Sequence, residues 1–155
     1  INEVMVDANP ETREFVEIAN NTDRPIDLSG LRLMAGSAST MGTKLELWGG
    51  CLLPGELVAF YSHSNDALAR DRLLSELSFD AHRFRFSNSS ETRLILQDMN
   101  QQTIDDFLVP RSLIDENTSV NRYPDIYGGD ITRHDRHYDE RSSPGLRASV
   151  VGEIR

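Results

Sequence analysis

The sequence predicts an all-β fold, an antiparallel β-sandwich with one short inserted helix. Two observations carry this prediction. Roughly six to eight short stretches alternate apolar and polar residues, spaced about 8–12 residues apart and separated by turn-forming residues. Only one stretch has helical spacing, whereas a parallel sheet needs a crossover, usually a helix, between successive strands.

The elements follow in order. INEVMV alternates, with Val4 and Val6 on one face and Ile1, Glu3 and Met5 on the other. EFVEIAN repeats the pattern, with Val16 and Ile18 opposite Phe15, Glu17 and Ala19. NNTDRP is turn chemistry, and Pro25 bars a central strand there. GLRLMA resumes the alternation through Leu31 and Leu33, and GSASTMG reads as a loop. KLELWGG supplies a strand with Leu45 and Leu47 opposite Trp48, which is expected to be buried. LLPGE turns the chain into the apolar strand LVAFYS.

The helix is expected over 64–77, with Ser64 or Asn65 as N-cap and Ala67, Leu73, Leu74 and Leu77 at helical spacing. RFRF returns to strand spacing, and TRLILQD and IDDFLV form a hairpin around DMNQQT. Beyond Pro110 the chain turns polar. Residues 111–149 are expected to be its least ordered part, and the charged run at 130–141 the weakest, with Ile131 and Tyr138 as almost its only apolar anchors. The domain is expected to span 1–149, with 150–155 as a tail.

At 155 residues the length suits one domain. No apolar run approaches the roughly 20 residues of a membrane span. The chain opens at Ile1, already within a strand pattern and without an initiator Met, as expected of a piece of a longer protein. The net charge of −9 repels phosphate backbones and disfavours a nucleic-acid partner. The lone Cys51 excludes an internal disulfide and multi-cysteine metal sites, and is expected to be a small buried hydrophobe.

With the strands placed, INEVM followed by EFVEIANNTDRPIDLSGLRL resembles the start of a lamin-tail domain in its bacterial form. The resemblance continues through LLPGELVAFYS, FSNSSETRLILQDMNQQTIDDF, SVNRYPD and SSPG, in order over roughly residues 1 to 148. The chain departs from the family pattern at Ser90 and Glu91, where Gly-Asp is common, in the longer 64–77 helix, and in the HDRHYDER insert. The resemblance implies an immunoglobulin-like sandwich. It also implies a module appended to secreted or surface proteins, as the bacterial forms often are.

Several constellations bear on chemistry. Glu3, Asp7, Glu14 and Glu17 form an acidic cluster if the first two strands pair, and could hold Ca²⁺. Without fixed loop spacing, the favoured reading is a solvated acidic rim. Asp98–Gln102 opens like a calcium loop, but Thr103 stands where Gly is required and Val109 where the bidentate Glu should be. His134 and His137 form an H-x-x-H pair among acids. With no helix predicted there, a flexible surface loop is the favoured reading. His63 and His82 have no evident partner. No G-x-S-x-G, P-loop or G-x-G-x-x-G is present. Asn20, Asn88 and Asn117 each open an N-glycosylation pattern in an expected loop.

These observations lead to a non-catalytic binding or targeting module of a larger secreted or cell-surface protein. It would sit outside the cell or in its envelope and need no cofactor. Its partner would be a protein or surface glycan, not nucleic acid. The alternative is a metal-assisted hydrolase on the His134/His137 loop, or a Ca²⁺-dependent glycan-binding module.

Overall fold

A computed structural model describes residues 1–9, 13–37, 40–62, 67–68, 79–81, 86–138 and 140–145. Within them every strand pairing is antiparallel, and the helical content is two 3-10 turns, Arg111–Leu113 and His134–Arg136. The expected all-β class is what the chain adopts.

The first sheet has six strands: β1 (Glu3–Met5), β2 (Phe15–Ala19), β7 (Leu57–Tyr61), β8 (Ala67–Leu68), β12 (Val120–Tyr123) and β13 (Asp130–Arg133). Their order is β13-β12-β1-β2-β7-β8. The second has five: β4 (Arg32–Ser37), β5 (Thr40–Leu47), β9 (Phe79–Ala81), β10 (Thr92–Gln97) and β11 (Thr103–Val109), ordered β11-β10-β4-β5-β9. β3 (Ile26–Asp27) and β6 (Cys51–Leu52) form a two-stranded ribbon.

The alternation read from sequence decides which side chains meet. Val4, Val16, Val58 and Phe60 from the first sheet pack in one apolar cluster with Leu33, Leu45, Leu94 and Phe107 from the second. In this way each sheet buries the apolar face of the other. The register Val4↔Val16 also sets Glu3 opposite Glu17.

The turns obey local chemistry. The Asn20 side chain accepts from the Thr22 amide (2.9 Å) and donates to the Arg24 and Leu52 carbonyls (2.8 and 2.9 Å), which fixes NNTDRP. Gly30 has φ +79°, and a Cβ there would lie 3.0 Å from that of Met99, so the DLSG turn requires glycine. In the β10–β11 hairpin the Asp98 carboxylate accepts from the Asn100 and Gln102 amides, both at 2.8 Å, and acts as a turn former.

Several expectations are overturned. Trp48 is 58% exposed. β5 ends at Leu47, and the alternation that turns Leu45 and Leu47 inward sends Trp48 out. Cys51 is exposed for the same reason, since its β6 neighbour Leu52 takes the inward phase. GSASTMG is mostly strand, because β4 runs to Ser37 and β5 starts at Thr40.

The expected 64–77 helix falls mostly outside the described residues, and its described pair, Ala67–Leu68, is a strand on β7. RFRF lies outside them except for Phe86, as do His63 and His82. The expectation of disorder over 111–149 fails over most of its described part. β12 pairs with β1 and with β13 inside the six-stranded sheet, and His134 and Tyr138 are buried. Among the described residues no helix is long and apolar enough to cross a membrane.

Candidate functional site

The residues with the most chemistry lie together on the outer face of the six-stranded sheet. Glu3 and Glu17, paired across β1 and β2, point away from the apolar cluster and yet are fully buried. Residues 134–138 and 140–145 run over them as a strap. Glu3 Oε1 accepts from the Ser119 hydroxyl (2.5 Å) and the Ser143 amide (3.0 Å), and Oε2 accepts from the Ser143 hydroxyl (3.0 Å). Glu17 accepts from Asn2 Nδ2 (2.7 Å) and the Gly145 amide (2.6 Å). Asn2 Nδ2 also donates to Asp125 (2.8 Å), and Asn2 Oδ1 accepts from the Ile126 amide (2.8 Å), which joins the turn after β12 to the network.

Burial pushes the Glu3 carboxyl up, against the charge of His134 and the hydrogen bonds from Ser119 and Ser143. Burial pushes Glu17 further up, and the neighbouring Glu3 carboxylate adds to the effect. The expected solvated rim therefore does not exist at these two positions. The expected four-carboxylate cluster also separates. Asp7 accepts from the Asn88 side chain (2.6 Å), apart from the strap network, and Glu14 lies outside β2.

His134 is fully buried, not on a flexible surface loop. The 3-10 turn His134–Arg136 points it inward, where Nδ1 meets the Glu140 carbonyl (2.8 Å) and Nε2 meets the Ser143 hydroxyl (3.0 Å). A carbonyl only accepts, so Nδ1 carries a hydrogen. His137 turns the other way and stacks on Tyr123, with ring centroids 4.0 Å apart. The H-x-x-H pair therefore does not converge on one point. Among the described residues no three His, Cys, Asp or Glu side chains are placed to hold a metal ion.

Ser143 Oγ beside His134 Nε2 has the spacing of a nucleophile and its base. Ser143 is buried, however, and its hydroxyl also serves Glu3. The arrangement joins the strap to the sheet. Ser119, Ser143, Asn2 and Gly145 escaped sequence reasoning because they lie 15–140 positions from the carboxylates they serve, except that Asn2 adjoins Glu3.

The outward-facing features are different in kind. β11 is an edge of the five-stranded sheet, pairing with β10 alone among the described strands. Phe107 and Val109 face the core, while Ile104 and Leu108 stand out, 55% and 41% exposed. A register shift at Leu96/Gln97 frees Ile104 from a partner on β10. Between the sheets, at the start of β11, lies a cleft of about 500 Å³ lined by Ile18, Ile26, Leu31, Leu96, Ile104 and Arg122, among others. That volume lies within the range that holds small ligands or several side chains. Arg122 clamps the two sheets beside it, through Asp105 (2.6 Å) and over the Phe107 ring (5.2 Å). Sequence reading placed IDDFLV as one strand of this hairpin without assigning its faces. What the sequence lacked was the knowledge that this strand is an edge.

Comparison with known proteins agrees with the architecture. No curated protein matches the chain. The family model for the Lamin Tail Domain matches residues 1–109, from the first strand to the end of β11, and stops short of the segments around SVNRYPD and SSPG. That match covers most of the chain, and with the antiparallel sheets described above it shows that the chain belongs to the lamin tail domain family.

Proposed function

We propose that the chain is a non-catalytic protein-interaction module, immunoglobulin-like in its two facing sheets, carried by a larger secreted or cell-surface protein. One observation carries the reading: β11 presents Ile104 and Leu108 to solvent along a seven-residue sheet edge, with a cleft opening at Ile104. Exposed strand edges offer unpaired backbone groups to a partner chain, and alternate side chains add specificity. The family match supports an interaction domain, and the charge of −9 favours a protein or glycan partner over nucleic acid. The groups a hydrolase would need, Glu3, Glu17 and His134, are already engaged inside the fold.

The test is capture of partners from the source organism's envelope fraction by wild type and by Ile104→Glu and Leu108→Glu. The reading predicts a partner that both variants lose while their melting temperatures stay near that of wild type. Equal recovery by all three proteins rules the β11 edge out. Turnover of an ester, peptide, phosphodiester or glycoside substrate that Ser143→Ala abolishes rules out the non-catalytic reading.

A further inference from the structure

The hydrogen bonds under the strap require a proton count. His134 Nδ1 donates to the Glu140 carbonyl. Ser143 Oγ lies 3.0 Å from His134 Nε2 on one side and 3.0 Å from Glu3 Oε2 on the other. A serine hydroxyl has one hydrogen, so it can donate to only one of these neighbours. The other contact needs a second hydrogen, either on Nε2, giving an imidazolium beside a carboxylate, or on Oε2, giving a neutral imidazole beside a carboxylic acid. Both arrangements hold one proton more than a neutral histidine and a free carboxylate. Both leave Glu3 and His134 with no net charge, and Nε2 and Oε1 are only 3.9 Å apart.

From this geometry we infer that one proton shared by Glu3, Ser143 and His134 latches residues 134–138 and 140–145 over the outer face of the six-stranded sheet, and that its loss releases them. Removing it leaves a net negative charge on fully buried groups, next to the Glu17 carboxyl. It also leaves one of the two Ser143 contacts with facing lone pairs. The strap is the part able to respond. Its Ser143 and Gly145 amides donate to Glu3 and Glu17, beside the Ser119 and Asn2 side chains that lie outside it, and its Arg141 carbonyl accepts from the Ser119 amide (2.9 Å). Undocking it would hydrate both carboxylates and leave the apolar cluster between the sheets in place.

The titratable and charged neighbours come from each packed element. β2 supplies Glu17, and the turn after β12 supplies Asp125 through Asn2. The strap supplies Tyr138, whose ring centroid is 4.8 Å from that of His134. The Ile1 amino group also acts on Glu17. The upward displacement of Glu3 and Glu17 is the direction a proton-holding latch needs. The device makes the strap and the face beneath it responsive to alkalinity.

The test is hydrogen exchange by NMR across pH 6–9 on the whole chain, with protection factors corrected for intrinsic exchange. The inference predicts that protection of the Ser143 and Gly145 amides falls about tenfold per pH unit once the proton leaves, while Leu94 and Phe107 hold theirs. Glu3→Gln imitates the protonated acid. Its amide donates to Ser143 Oγ, whose hydrogen then goes to neutral His134, so the slope should drop by about one proton. Strap protection that is flat in wild type, or a slope unchanged in Glu3→Gln, overturns the inference. If Glu3→Gln does not fold, the wild-type slope still decides. A side-chain carboxyl NMR titration placing Glu3 at an ordinary glutamate value, with His134 neutral throughout, also overturns it.

Discussion

Phe107 and Trp48 make a paired test of which aromatic residues stabilise this fold. Phe107 sits on β11 with no exposed surface, inside the cluster shared by both sheets and under the Arg122 guanidinium. Phe107→Ala removes that burial and leaves a cavity between two sheets that cannot collapse freely, so it should cost about 3–5 kcal/mol. Trp48 is 58% exposed. If a Trp buries at most about 250 Å² when enclosed, roughly two-fifths of that at 25 cal/mol per Å² sets an upper bound near 2.5 kcal/mol. The compactness of the unfolded chain lowers it, so Trp48→Ala should cost about 1–2 kcal/mol. Urea unfolding followed by circular dichroism measures both, with the slope checked for two-state behaviour. Since Trp48 is the only tryptophan, fluorescence of the wild type checks its exposure separately: emission should be red-shifted and readily quenched. A Trp48→Ala cost equal to or above that of Phe107→Ala, or a blue-shifted, quencher-protected emission, refutes the packing described here.

Further outcomes follow from the same geometry. Glu3 and Glu17 have folded-state pKa values above their unfolded ones, so their contribution is complete below the unfolded value and is lost as pH rises through the folded one; urea midpoints should fall from mildly acidic toward alkaline pH. Asp106 and Asp135 are held low by Arg93 and Arg133, so their contribution has the opposite sense and is lost as pH falls through their folded values, which bounds the stable range on the acid side. Asn20→Ala should cost about 1–3 kcal/mol by removing a buried amide that donates to the Arg24 and Leu52 carbonyls and accepts from the Thr22 amide, as measured by thermal melting. In a glycosylating host the Asn20 pattern should stay unmodified, because that amide is buried and engaged, while exposed Asn88 can be modified; intact-mass and peptide analysis would tell them apart. A chain ending at residue 110 loses β12, β13 and the strap donors to Glu3 and Glu17, and its melting temperature should fall well below that of the whole chain.

Much of the fold was legible because period-two alternation is a local property. Val4, Val16, Leu33, Leu45, Leu94 and Phe107 all point inward, with the phase their neighbours impose. The same alternation implied that Trp48 points outward, opposite Leu45 and Leu47, and the expectation of burial gave residue type more weight than phase. Glu3 and Glu17 were recognised as neighbours, but not as buried, because what covers them comes from Ser119, His134, Ser143 and Gly145, more than a hundred positions away. Composition points the wrong way for such a segment. A polar, charged strap looks solvated, yet here the Ser143 hydroxyl and the Ser143 and Gly145 amides serve two buried carboxylates, with Tyr138 buried beside them. The β11 edge was hidden for a related reason: alternation tells which side chains face out, but strand order determines which strand is left unpaired.

The most direct measurement is a hydrogen-exchange map of the chain with and without its captured partner. Binding at the β11 edge predicts new protection in the amides of Thr103–Val109 and at Leu96 and Arg122 around the adjoining cleft, with the strap amides of Ser143 and Gly145 unchanged at neutral pH. Protection that appears elsewhere and leaves Thr103–Val109 unaltered would contradict the account.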